Sequence, residues 1–138
     1  MKWILDTNVL FIAINTWHDQ HAQTRAWLDA AKPTAPWGAS AETYLGAIRL
    51  LMNPKVMKGA HLDAGDAVKV TRREFSGPNA GKIVTGDEPD DALLRKAKGH
   101  KQIMDIYQIQ VAAKHGAKLV TMDDALRAAF PAIAVYPS

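Results

Sequence analysis

Hydrophobic positions in this chain alternate between short continuous runs and stretches with helical spacing. The short runs are typical of buried strands and predict strands at residues 2–5, 82–85, 118–122 and 133–136, with a short extended piece ending at Trp37. The stretches with helical spacing predict helices at residues 8–15, 18–31, 41–52, 61–74, 89–98, 102–115 and 123–130. This alternation of strands and helices predicts an α/β sandwich with a mostly parallel sheet.

Capping and turn-forming residues lie where these elements meet. Ser40 directly precedes the third helix and is expected to cap its N-terminus. Pro33 and Pro36 are expected to end the second helix, since proline does not fit a helix interior. Gly116 follows the helix at 102–115, in the position where glycine commonly ends a helix.

Length and composition limit the class of protein. The 138 residues, of which 48% are hydrophobic and 22% charged, are expected to form one domain, residues 1–138. No apolar run approaches the roughly 18 residues that span a bilayer, and a signal peptide is not expected. The chain has no cysteine, which excludes disulfides and thiolate metal sites and makes the cytoplasm the expected location. The net charge of +3 is compatible with a nucleic-acid partner.

Two carboxylates directly follow predicted strands. Asp6 ends the first apolar run, and Asp123 follows the run at 118–122 and starts a helix. Ligands bind at the carboxyl ends of strands in open parallel sheets, so both residues are candidates for a shared site. Both are equally suited to cap the helices that they precede, which is the alternative interpretation.

Two further acids lie in the first turns of predicted helices. Asp105 shares a helix face with Ile109, Ala112 and Gly116, where an isolated carboxylate is costly unless a cation or hydrogen bonds compensate it. The alternative is a solvated acid favoured by the helix dipole.

Glu42 begins the helix at 41–52, where the dipole also favours an acid. An ion pair between Glu42 and Arg49 on the same face is the alternative there.

If these four acids converge, they repel one another unless a cation neutralises them. A hard divalent cation such as Mg²⁺ prefers oxygen ligands, and the chemistry that follows is phosphoryl transfer.

Four motifs carry these acids and their neighbours: LDTNVL at residues 5–10, AETYLGAIRLL at 41–51, IMDIYQIQVAAKHG at 103–116 and LVTMDDAL at 119–126. In this order and at this spacing, they make the chain resemble the PIN-domain ribonucleases, specifically the VapC-like toxins of bacterial type II toxin–antitoxin pairs. The resemblance spans essentially the whole chain.

The resemblance implies a PIN-like three-layer α/β/α sandwich with Mg²⁺- or Mn²⁺-dependent endoribonuclease activity. It gives the catalytic and metal-binding roles to four acids: Asp6, Glu42, Asp105 and Asp123. Asn8 and Thr121 match polar positions that support them. The resemblance also implies a homodimer, a cognate VapB-like antitoxin, and a structured RNA substrate such as tRNA or ribosomal RNA.

The fourth acid has a close competitor. The T-x-D pattern favours Asp123, and Asp124 would then support the site or cap the helix, but a shift by one residue exchanges their roles.

A basic run precedes Asp105 and consists of Arg95, Lys96, Lys98 and Lys101. It suits the phosphates of a bound RNA, or it is a solvated helix end favoured by the dipole.

Two other functions fit part of this pattern. A phosphatase-type enzyme would also place an acid after the first strand, but it would need a second aspartate where Asn8 stands. A non-catalytic module that binds RNA or protein would use the same fold without the chemistry.

Overall fold

In the part of the chain that the structure describes, the central sheet has five strands, all running parallel. The computed structural model describes residues 1–86 and 88–138. The strands are β1 (Trp3–Leu5), β2 (Trp37–Ser40), β3 (Lys82–Val84), β4 (Lys118–Val120) and β5 (Ala134–Val135). Their order across the sheet is β3-β2-β1-β4-β5, and every neighbouring pair is parallel. The predicted, mostly parallel sheet is therefore confirmed.

Among residues 1–86 and 88–138, seven α-helices connect and flank the strands. They are α1 (Thr7–Ile14), α2 (His21–Ala31), α3 (Ala41–Leu51), α4 (Ala64–Arg73), α5 (Asp91–Leu94), α6 (Ile103–Lys114) and α7 (Asp124–Ala129). The predicted caps are confirmed: Ser40 Oγ accepts a 3.1 Å hydrogen bond from Thr43 N, and Gly116 ends α6 with a φ of 62°. No helix among residues 1–86 and 88–138 is long and apolar enough to cross a membrane.

The helix predicted at residues 89–98 is wrong in length. Asp90 caps it by accepting hydrogen bonds from Ala92 N and Leu93 N, but α5 ends at Leu94. The chain then turns, because Lys98 N donates a 2.8 Å hydrogen bond to the side-chain oxygen of Gln102 and no longer pairs within a helix.

The core lies on both faces of the sheet, so that the molecule has three layers. Ile4 and Leu119 point to one face and pack with Ile106 of α6. The residues that follow them, Leu5 and Val120, point to the opposite face, where α1, α2 and α3 cover the sheet. Side chains alternate between faces along a strand, so two consecutive apolar residues indicate a strand that is covered on both sides. The three-layer α/β/α sandwich is thus confirmed.

Strand register decides which residues meet at the carboxyl edge of the sheet. Leu5 of β1 is paired with Val120 of β4, and Asp6 N donates a 2.9 Å hydrogen bond to the carbonyl oxygen of Val120. The residues just beyond these two strand ends, Asp6 and Thr121, are consequently neighbours.

Candidate active site

Asp6 lies buried at the point where β1 ends and α1 begins. Its side chain is 3% exposed, and both carboxylate oxygens accept hydrogen bonds, Oδ1 from Thr7 N at 2.8 Å and Oδ2 from the Thr121 hydroxyl at 2.7 Å. Burial raises the pKa of Asp6 above its usual value, although both hydrogen bonds oppose this, and the charge of Asp123 raises it further. The capping role foreseen for Asp6 is real, but it occupies only one oxygen.

Thr121 and Asn8 tie the two strand ends together. The Thr121 hydroxyl donates to Asp6 and accepts a 3.1 Å hydrogen bond from Asp123 N. Asn8 Oδ1 accepts a 3.3 Å hydrogen bond from Met122 N, which links α1 to the turn after β4. The structure therefore places both residues beside the acids that they were expected to support.

Asp123 and its neighbour Asp124 differ sharply in their surroundings. Asp123 caps α7 by accepting a 2.9 Å hydrogen bond from Leu126 N, and its charge acts on both Asp6 and Asp105. The Asp124 side chain is 93% exposed and forms an ion pair with Arg127. Asp123 is thus the member of the pair that faces the other acids.

Asp105 lies half-buried in the first turn of α6. Burial raises its pKa to about 6, and the negative charges of Asp6 and Asp123 contribute to the rise. Ile109 and Ala112 on the same helix face are buried, as expected from the spacing. The structure therefore brings together three acids from three different elements.

Glu42 lies in the first turn of α3, beside the start of α1. The adjacent hydroxyl groups of Thr43 and Thr7 are 3.3 Å apart, and the two helices approach closely where Gly46 faces Thr7. Glu42 Oε2 is buried and has no hydrogen-bond partner. The charges acting on Asp105 come from Asp6 and Asp123, so the structure does not add Glu42 to that repelling group.

The alternative ion pair for Glu42 is absent. Among the described residues, Glu42 and Arg49 form no salt bridge. One carboxylate oxygen of Glu42 therefore remains buried without compensation, which is costly for a polar group unless a ligand satisfies it.

The donor chemistry of the site fits a hard divalent cation. Every candidate ligand is a carboxylate oxygen, and the mutual repulsion of three acids and the unpartnered oxygen of Glu42 would both be relieved by a cation. Within residues 1–86 and 88–138, however, no group of three histidine, aspartate or glutamate side chains is arranged to hold a metal by itself. Mg²⁺ does not require such a cage, since it keeps several waters and is usually held by one or two carboxylates and substrate phosphates.

The basic run divides into two parts. All four residues, Arg95, Lys96, Lys98 and Lys101, are exposed on the segment between α5 and α6. Lys96 and Lys98 line a cavity beside α7, whereas Arg95 and Lys101 are not among the residues that line it.

Sequence reasoning missed Thr7 and Thr43. Thr7 N binds Asp6, and the Thr7 hydroxyl contacts that of Thr43, so the pair connects the starts of α1 and α3. Each threonine directly follows a candidate acid, in Asp6-Thr7 and Glu42-Thr43, and this repeated pattern was the available signal.

Comparison with known proteins gives consistent matches over most of the chain. The family model described as PIN domain matches residues 3–130. The chain is 31% identical over 122 residues to Ribonuclease VapC38 of Mycobacterium tuberculosis, covering 87% of this chain and 84% of that protein. It is 30% identical over 129 residues to Ribonuclease VapC29 of the same organism, covering 91% and 89%. Ribonuclease VapC44 is 26% identical over 133 residues, with coverage of 91% and 89%.

Proposed function

This chain belongs to the PIN domain family, and from that premise we propose that it is a metal-dependent endoribonuclease, the toxin of a type II toxin–antitoxin system. The observation that carries the proposal is the meeting of Asp6, Asp105 and Asp123 at the carboxyl edge of a parallel sheet. The charge of Asp123 raises the pKa of Asp6, and the charges of Asp6 and Asp123 raise the pKa of Asp105. Such a group of acids is costly as a structural device but is suited to bind a cation.

The four acids have distinct proposed roles. Asp6 is the most constrained, because hydrogen bonds to both oxygens fix its orientation. Asp105 and Asp123 complete the negative group, and Glu42 offers its unpartnered oxygen from the adjacent helix. When bound, Mg²⁺ or Mn²⁺ would neutralise phosphate charge and lower the pKa of a water that attacks the phosphodiester.

The remaining residues hold this arrangement in place. Thr121 orients Asp6 and positions the backbone of Asp123, and Asn8 fixes the turn that carries Asp123. Asp124 is proposed as a surface residue that stabilises α7 through Arg127. The exposed cations between α5 and α6 would bind the phosphates of the RNA.

The partners are proposed from the family. They are a cognate VapB-like antitoxin, a second copy of the chain, and a structured RNA such as tRNA or ribosomal RNA, all in the cytoplasm. Exposed apolar side chains support protein contacts: Trp17 is 80% exposed, Leu45 59% and Met52 37%. Such side chains are typical of interface centres when they cluster with other apolar residues.

The decisive experiment compares Asp6→Asn with Asp124→Asn, since both replace one acid by its amide. Cleavage of total tRNA and ribosomal RNA is measured in MgCl₂ by gel electrophoresis, with thermal unfolding as the check on folding. We expect Asp6→Asn to abolish cleavage and Asp124→Asn to retain the wild-type rate. Full activity of a folded Asp6→Asn protein would refute the site.

One observation favours a second candidate, a non-catalytic RNA-binding module. The described residues do not form a three-ligand metal group. For such a module, RNA would bind in gel-shift assays without cleavage in either MgCl₂ or MnCl₂, and isothermal titration would detect no cation binding.

A further inference from the structure

A cavity of about 480 Å³ lies outside the acid site, between the basic segment and α7. One wall is formed by Lys96, Lys98 and Gln102, and the other wall includes Ala128 and Phe130. We call it the Lys–Phe cavity. Its walls combine two cations with an aromatic ring, and the small alanine side chains of α7 leave room between them.

Both walls continue into elements that carry the candidate acids. Gln102 directly precedes α6, whose first turn contains Asp105. The opposite wall is α7, which begins at its cap Asp123 and ends before Phe130. A helix of this length spans about 9 Å at 1.5 Å per residue, so the cavity lies within one or two nucleotides of the acids.

The cations of the cavity are free to bind a ligand. Lys96 and Lys98 are exposed, and neither forms a salt bridge within residues 1–86 and 88–138. The segment is nevertheless held in shape, because the Gln102 side chain accepts a 2.8 Å hydrogen bond from Lys98 N. Two unpaired cations on an anchored turn are suited to a phosphate group.

Phe130 supplies the apolar part of the cavity. It packs partly against the core that contains Leu126, and its backbone N donates a 3.0 Å hydrogen bond to the Leu126 carbonyl. A ring that is anchored on one side and partly exposed on the other can stack with a nucleobase.

We propose that the Lys–Phe cavity binds one nucleotide of a single-stranded RNA segment, with Lys96 and Lys98 on its phosphate and Phe130 against its base. This subsite rests on the proposed ribonuclease function and would hold the strand next to the acids. Within the basic run, Lys96 and Lys98 belong to this subsite. Arg95 and Lys101 do not line the cavity and are not part of it.

The lysine contribution is tested by the salt dependence of binding. A short fluorescein-labelled single-stranded RNA is titrated with protein in EDTA, where cleavage is suppressed, and the dissociation constant is measured by anisotropy over a range of NaCl. Lys96→Gln/Lys98→Gln should make the slope of log affinity against log salt less steep by about 0.7, the value for the loss of one phosphate contact on a single strand. Lys55→Gln/Lys69→Gln loses the same charge at exposed positions that do not line the cavity and should keep the wild-type slope.

The aromatic contribution is tested with a strand that lacks bases. Phe130→Leu should weaken binding of the RNA about fivefold or more, because a base no longer stacks on an aromatic ring. The salt slope should not change, because it depends on contacts to phosphates. Binding of an abasic strand of equal length should not change, and Phe130→Tyr should bind as the wild type does. Leucine keeps the apolar packing, and thermal unfolding identifies a variant that fails to fold. If Phe130→Leu does not fold, Phe130→Met takes its place as the variant without a ring, and Phe130→Tyr remains the aromatic control.

The outcomes separate the subsite from the function. If the wild type cleaves RNA in MgCl₂ but Lys96→Gln/Lys98→Gln keeps the wild-type slope, the subsite is wrong and the ribonuclease proposal stands. If Phe130→Leu weakens the RNA and the abasic strand equally, the cavity does not read a base and the proposal is overturned. If the wild type neither binds nor cleaves RNA, both proposals fail.

Discussion

The Thr121 hydroxyl donates a 2.7 Å hydrogen bond to Asp6 Oδ2, and both residues are buried at the edge of the sheet. The same hydroxyl accepts a hydrogen bond from Asp123 N. One threonine therefore orients the acid that follows β1 and positions the turn that carries another acid after β4.

Replacing this threonine tests the link between the two strand ends. Thr121→Val removes the hydroxyl and leaves buried Asp6 Oδ2 without a partner, which should lower the free energy of unfolding by about 1–3 kcal/mol. Loss of cleavage beyond what unfolding explains is expected, since Asp6 is no longer oriented. Urea denaturation at pH 7.5 and a cleavage assay measure the two effects. Thr121→Ser retains the hydroxyl and should behave much like the wild type; equal damage by both variants would contradict this role.

The raised pKa of Asp105 predicts a pH-dependent instability of the metal-free protein. Its folded-state pKa is about 6 against an ordinary value of 3.8, so the unfolded chain loses this proton at a lower pH than the folded protein. The stabilising contribution of protonated Asp105 is therefore fully present below about pH 4 and is lost as the pH rises through about 6.

Asp105→Asn should remove this dependence. In EDTA the variant should melt at a higher temperature than the wild type at pH 7, and the difference should disappear near pH 4. Asp6 and Asp123 are present in both proteins, so the difference between the curves isolates Asp105. Asp124→Asn is the control, because that side chain is exposed and faces a cation. A variant that is no more stable than the wild type at pH 7 would show that Asp105 is not repelled.

Cation binding should be visible as thermal stabilisation. A ligand that binds only the folded state raises its stability by mass action, so MgCl₂ or MnCl₂ should raise the melting temperature of the wild type. Glu42→Gln should reduce this increase, because the buried Oε2 that lacks a partner is then part of an amide. Differential scanning fluorimetry over a series of cation concentrations measures the effect, with CaCl₂ and NaCl for comparison.

Asp124→Asn should respond to MgCl₂ as the wild type does. If Glu42→Gln also responds fully, Glu42 is not a ligand and the site consists of the other three acids. No response in the wild type would contradict a cation site altogether.

The positions of β1 and β4 were accessible from the sequence because these two strands are covered on both faces. Leu5 and Val120 follow Ile4 and Leu119, and such consecutive apolar residues stand out from helical spacing. The extended piece predicted to end at Trp37 was misplaced, because β2 begins at Trp37 and continues to Ser40. The length of α5 was not accessible, because it depends on the side chain of Gln102 binding Lys98 N across a turn. Apolar spacing carries no information about such a bond.

Part of the candidate site was also accessible from the sequence, because the positions of the strands indicate where two of its acids lie. Asp6 and Asp123 stand at strand ends, and the order of parallel strands brings those ends together. The choice between Asp123 and Asp124 depends on which side chain turns inward. The T-x-D pattern favours Asp123, but from the sequence alone a shift by one residue would exchange the two acids. The close approach of α1 and α3 depends on Gly46, whose spacing from Thr7 in the folded protein has no signal in the sequence.

That close approach gives the last prediction. A Cβ atom at Gly46 would lie 2.9 Å from Thr7 Cγ2, which is too close for an ordinary contact. Thr7 cannot easily rotate away without moving its hydroxyl from that of Thr43. Gly46→Ala should therefore destabilise the protein by about 1–3 kcal/mol, the usual range for overpacking, although alanine favours a helix interior more than glycine does.

A second substitution identifies the cause. Thr7→Ser removes Cγ2 and keeps the hydroxyl, so in that background Gly46→Ala should be neutral or stabilising, with a gain of up to about 1 kcal/mol from helix propensity. The double-mutant cycle is measured by urea denaturation. Cleavage rates of the same four proteins should rank in the same order as their stabilities, since moving α3 away from α1 would separate Glu42 from Asp6. A cost of Gly46→Ala that is the same in both backgrounds would show that Thr7 does not set the distance between α1 and α3.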